Sequence, residues 1–118
     1  MLTLRQEQID ALRSDRRRSV SRRILNHLLQ HWTSELARHQ FSNVEFDNVV
    51  YTWVLRAIHL GFRSERDIRI FCEACACRGE GFPDSVVDAD VISALDHAKT
   101  SLGKAQLIDE YLMACLGR

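Results

Sequence analysis

A single proline, Pro83, and five glycines are all that break the backbone freedom of this 118-residue chain. So few turn-forming residues argue against a β-fold of many short strands and favour long helices. Net charge is also missing: sixteen basic residues balance sixteen acidic ones, so no global field draws the chain to nucleic acid or to a membrane surface. No apolar run approaches the ~18–20 residues of a membrane span. The opening "MLTLRQEQIDALRSDRRRS" has no apolar segment of signal-peptide type. A cytoplasmic location is therefore expected, with thiols reduced and no cofactor or structural disulfide required.

What is present is apolar residues at helical spacing. Thr3-Leu4-Arg5-Gln6 has the form of a capping box, and Leu4, Ile9 and Leu12 follow on one side. Beyond the polar patch "RSDRRRS", Val20, Ile24, Leu28, Trp32 and Leu36 recur every four residues, and Leu25 and Leu29 widen the stripe. A break near Ser14 and one continuous rod are both compatible with this pattern. Ser42-Asn43-Val44-Glu45 is a second capping box, ahead of Phe46, Val49, Val50, Trp53, Val54, Ala57 and Ile58. Gly61 supplies a left-handed stop there, with Phe62 packing back on the last turn.

Ser64-Glu65-Arg66-Asp67 opens the next helix, with its acids where the helix dipole favours them. Ile68, Phe71, Cys72 and Cys75 mark its inner side, and Gly79 and Gly81 end it. A helix from about Asp88 turns Val91, Ile92, Leu95 and Ala98 inward. Gly103 separates it from a last helix carrying Leu107, Ile108, Tyr111, Leu112 and Cys115. The expectation is an all-α single domain, residues 1–118, of five to six helices.

Chemistry-bearing residues are sparse. Three of four cysteines fall in "CEACAC", residues 72–77. Cys72 and Cys75 share a helix face, whereas Cys77 lies about 500° of helical turn from Cys72 and off it. Zinc needs four ligands, and no second paired motif accompanies these two. The other ligands could come from Cys77, His59, His97 or Cys115 after folding. Ile68-Phe71-Cys72-Cys75 reads instead as a continuous core stripe of small apolar thiols. His27 and His31, at i and i+4, lack the glutamate of a zinc-protease motif and flank an apolar stripe. Asp84, Asp88 and Asp90 lack the glycine and closing glutamate of a calcium loop and read as cap and first-turn acids. No catalytic triad, phosphate-cradling loop or spaced carboxylate pair appears, and nothing argues for an enzyme.

Charge is unevenly distributed. Residues 1–39 hold eight arginines against four carboxylates, while residues 79–118 hold three basic and seven acidic residues. Arg13, Arg16, Arg17, Arg18, Arg22 and Arg23 form the strongest patch. Phosphate contact is one use for such a strip, but the neutral chain, the absence of a recognition-helix motif and the acidic segments able to pair with it favour a solvated helix face or a protein-docking surface.

Three stretches carry a family resemblance: "MLTLRQEQIDAL", "RAIHLGFRSERDIRIFCEAC", and "GEGF" ahead of an acidic helical tail. Together they resemble short helical proteins encoded within bacterial type VI secretion effector clusters, beside PAAR or VgrG spike proteins, chaperones and toxins. That group's pattern is an "LTIRxEQ" helix, a glycine before "xERD", and a glycine-phenylalanine turn. Here it falls on Leu2–Gln8, on Gly61 with Glu65-Arg66-Asp67, and on Gly81-Phe82. Pro83 stands where an aspartate usually follows the phenylalanine, and the cysteine cluster is not a feature of the group.

The resemblance implies a non-enzymatic interaction protein, an accessory chaperone or adaptor for effector loading. Its partner would be a secretion chaperone, an effector or a spike component, met through the arginines of residues 13–23. An immunity protein against a co-encoded toxin is the alternative, and a small cysteine-based metal or redox regulator is a third class. An exposed apolar helix face would also suit a homo-oligomer.

Overall fold

The computed structural model describes residues 6–38, 43–79, 81–85 and 87–115, with side chains for 16–37, 46–79, 81–85 and 87–114. Both capping boxes at Thr3 and Ser42 have their hydroxyl residues outside this range. Six helices make up the described chain: α1 (Gln6–His31), α2 (Thr33–Arg38), α3 (Asn43–Leu60), α4 (Glu65–Arg78), α5 (Ala89–His97) and α6 (Ser101–Cys115). There is no strand among the described residues, and the fold is all-α. No helix among them is long and apolar enough to cross a membrane.

The patch "RSDRRRS" lies inside α1, which runs unbroken past Ser14. It contains neither glycine nor proline, so nothing in it opposes helical dihedrals. Between α1 and α2 the chain departs from helix only at Trp32, and even there hydrogen bonding persists: Trp32 N–H to Leu28 O at 2.8 Å and Leu36 N–H to Trp32 O at 3.0 Å. The stripe therefore continues from α1 into α2, burying Ile24, Leu28 and Leu36. Leu29, expected to widen it, is instead exposed, because one step round the helix from Leu28 takes it past the edge of the packed face.

α3 behaves as its spacing predicts. Phe46, Val50, Trp53, Val54 and Ala57 are buried, each large one contributing about 1.5–3 kcal/mol by leaving water. It ends in a Schellman motif, with Phe62 N–H bonded to Ala57 O (3.0 Å) and Gly61 N–H to Ile58 O (3.1 Å). Gly61 takes φ +106°, a conformation that favours glycine, and Phe62 is fully buried against the core.

The central element is α4, which packs against α1, α2, α3 and α6. Being enclosed on several sides, it buries far more than one stripe: Ile68, Ile70, Phe71, Cys72, Ala74, Cys75 and Ala76. Small side chains at 74–76 let neighbouring helices close in. Ser64 caps its start by accepting from Asp67 N–H, and Gly79 ends it, donating to Cys75 O at 2.7 Å. Aromatic rings line the core from Phe62 through Phe71 and Phe82 to Tyr111, with centroids 5.3–5.9 Å apart.

Gly103 does not separate the last two helices. It sits in the first turn of α6, where its N–H bonds the Thr100 hydroxyl at 3.0 Å. Thr100 acts as the capping hydroxyl, so the helix starts earlier than a glycine-based boundary would place it. Ala105, Ile108 and Leu112 then face inward, and Leu95 does so from α5.

Candidate functional site

Two turns of α1 form one wall of a groove of about 560 Å³. Arg16, Arg17, Val20 and Arg23 come from α1, Val54 and Ile58 from α3, Phe62 and Arg63 from the Schellman turn, and Glu65 and Ile68 from the head of α4. The floor is apolar and the rim carries four guanidiniums. This follows from the packing of α1 on α3, since the interior positions of both helices flank the groove and the residues one step outward stand at its edge.

The six arginines expected to form a docking face are not equivalent. Arg16, Arg17 and Arg23 line the groove together. Arg18 lies over the Tyr51 ring, 3.7 Å from its centroid, as a cation–π contact to α3. Arg22 is exposed and outside the groove lining, and the side chain of Arg13 lies outside the described residues. Arg23 is engaged by Glu65, which accepts from its Nε at 2.9 Å and from its terminal nitrogen. That hydrogen bond, followed by the carboxylate's charge, raises the Arg23 pKa. Among the described residues, Arg16 and Arg17 have no carboxylate within ion-pair distance.

Arg63 completes the rim and was not among the arginines singled out by sequence. Its guanidinium folds back on the end of α3, donating to Ile58 O (3.0 Å) and Phe62 O (3.4 Å). A cation there complements the negative end of the helix. Its backbone N–H donates to the Ser101 hydroxyl (2.8 Å), which in turn donates to the buried Asp67 carboxylate (2.6 Å). The turn that presents Arg63 is thus tied to the starts of both α4 and α6. The Gly61 stop before it and the Ser64 cap after it hinted from sequence that this arginine occupies a fixed turn.

Two further acids, the half-buried Glu73 and the buried Asp88, join helices. Glu73 accepts from the Trp32 indole N–H at 2.8 Å and lies 3.1 Å from His27 Nε2, fastening α4 to the α1–α2 corner. His27 and His31 stand side by side, with ring centroids 4.7 Å apart. Asp88, 4% exposed, accepts from Arg78 (3.1 Å), Asp84 N–H (2.8 Å) and Tyr111 O–H (3.1 Å). Expected as a cap, it stands at the cap position but makes no side-chain cap bond, because its carboxylate is turned into the core. Asp84 instead satisfies Val87 N–H at 2.9 Å.

Cys72 and Cys75 are fully buried on α4, continuous with Ile68 and Phe71. Burial pushes both thiols well above their ordinary pKa: the charge of Glu73 adds to this for Cys72, and that of Cys72 for Cys75. Such thiols are protonated and packed, the opposite of an activated nucleophile or ligand. Cys77 is half-buried, off their face. Among the described residues no three of histidine, cysteine, aspartate and glutamate are grouped so as to hold a metal ion.

No protein-family model, curated protein or solved structure matches this chain.

Proposed function

We propose that this is a non-enzymatic interaction protein of a bacterial type VI secretion effector cluster, cytoplasmic, acting as an accessory chaperone or adaptor in effector loading. The observation that supports this reading is the groove itself: a half-buried apolar floor of Val20 and Ile58, backed by the buried Val54 and Ile68, beneath the rim arginines Arg16, Arg17 and Arg63. An apolar floor supplies affinity, and the rim guanidiniums steer and register an acidic protein segment. The type VI context comes from the sequence resemblance alone. In this role the protein would hold its partner through the groove until handover to the spike.

The test is affinity capture with tagged protein in its native neighbourhood, using wild type and Arg16→Glu/Arg17→Glu. Recovery of a co-encoded chaperone, effector or spike component by wild type and its loss from the variant is the expected result. A second reading, an immunity protein, draws on the exposed Asp109 and Glu110 of α6, an acidic face suited to a cationic toxin. Recovery of a toxin, with rescue of cells expressing it and no chaperone or spike contact, would replace the adaptor reading.

A further inference from the structure

Among the described residues, no ion pair joins the basic segment 1–39 to the acidic segment 79–118. α1 packs on α2, α3 and α4, whereas α6 packs on α4 and α5, so α4 stands between them. The outward face of α6 carries Leu102, Gln106, Asp109, Glu110 and Met113, all exposed, at spacings of three and four. Its apolar ends are substantially uncovered, Leu102 at 51% and Met113 at 45% exposure. It is an amphipathic strip in its own right, about 16 Å long at 1.5 Å per residue, with two carboxylates between two apolar side chains. The groove on α1 has the complementary pattern, an apolar floor with a cationic rim along about 10 Å of helix.

We propose that in the free protein this groove receives the outer face of α6 from a second copy of the chain. Met113 enters over Val20 and Ile58, while Asp109 and Glu110 meet Arg16 and Arg17. Charge complementarity selects this occupant: the strip has the charge sign and apolar character the groove requires. Because the two surfaces are different patches, the contact is heterologous, groove to strip. A groove and a five-residue strip place it at the small, transient end of interfaces, so association is concentration-dependent and salt-sensitive. The inference rests on reading the groove as a protein-docking surface, and self-association would keep its apolar floor covered when no other partner is bound.

Sedimentation velocity tests it with purified full-length protein over roughly 10–500 µM, at low salt and at about 0.5 M salt. The wild type is expected to show a mass rising with concentration at low salt and reverting toward monomer at high salt. Arg16→Glu/Arg17→Glu and Asp109→Arg/Glu110→Arg, each checked for wild-type circular dichroism, should separately weaken association at least about tenfold. Mixing the two variants should restore it, because each supplies the surface the other has lost. A wild type that stays monomeric throughout overturns the proposal and leaves the groove for a foreign partner. Association that neither reversal weakens, or that mixing does not restore, overturns it equally. Neither outcome touches the capture experiment, so failure of self-docking and failure of the adaptor reading are separable.

Discussion

Replacing Asp88 by alanine should be among the most damaging single changes in this protein, although its sequence neighbourhood marks it only as a helix-start acid. The carboxylate is 4% exposed and accepts from three donors on three segments: Arg78 on α4, the Asp84 backbone and Tyr111 on α6. Alanine removes an acceptor from the Asp84 N–H and from the Tyr111 hydroxyl, at about 1 kcal/mol each. Arg78 loses a charge-assisted bond, but its side chain is 32% exposed and can turn to water, so its share falls to about 1–2 kcal/mol. The total loss is about 3–4 kcal/mol, against an overall stability of roughly 6–18 kcal/mol for a chain of this size. In urea, with an m-value of about 2 kcal/mol/M, the midpoint should fall by roughly 1.5–2 M. Tyr111→Phe alone should cost about 1 kcal/mol, and almost nothing when Asp88 is already alanine. A loss below about 1 kcal/mol for Asp88→Ala, or a Tyr111→Phe cost independent of residue 88, would refute the assignment of Asp88 as the joint.

Three further outcomes are expected. The folded Cys72 and Cys75 thiols keep their protons at pH values where unfolded thiols lose them, so the unfolded state binds fewer protons and stability falls as pH rises. That contribution is constant below about pH 9 and declines above it by about 1.4 kcal/mol per pH unit per thiol, so Cys72→Ala should flatten the alkaline slope by one such share in urea melts at pH 9 and 10. Ser21, 2% exposed, has a hydroxyl with no hydrogen-bond partner among the described residues, so Ser21→Ala should leave the thermal midpoint unchanged or raise it; a loss above about 1 kcal/mol would reveal a missed bond. Gly61→Ala should destabilise by about 1–2 kcal/mol, since φ is +106° and an added Cβ would stand 2.8 Å from Lys104 Cε; a neutral result in urea melts would contradict the Schellman assignment.

Local signals in the sequence located the helices well, and long-range pairing was where they ran out. The glycine at 61 followed by a phenylalanine, the Ser64 cap with Asp67 three residues on, and the stop at Gly79 each act within one helical turn. Such features are visible in a single sequence because both partners are neighbours in it. Asp88 looked like a helix-start acid for the same reason, yet its partners are 4, 10 and 23 residues away. Glu73 meets Trp32 and His27 across more than forty residues. Periodicity reports which face of a helix is apolar but not which helix it meets, and so could not show that Arg63 would join Arg16 and Arg17. It also made α4 look one-sided, when enclosure by four helices buries it nearly all round.

The cysteine cluster shows how enclosure of this kind decides chemistry. A thiol on a surface helix beside arginines would be lowered in pKa and reactive. Here the same residue type occupies the most enclosed helix of the fold, beside Ala74 and Ala76, where only small side chains fit between closely packed neighbours. Burial raises the thiol pKa, and the nearby charges of Arg56 only partly oppose that rise. The exposed chemistry lies elsewhere, on α1 and α6, in charges that α4 keeps apart. Among the described residues, the arginines of α1 and the carboxylates on the outer face of α6 form no ion pair with each other across the central helix. Partner choice then depends on which molecule offers an apolar anchor flanked by the opposite charge, and the protein's own α6 is one that does.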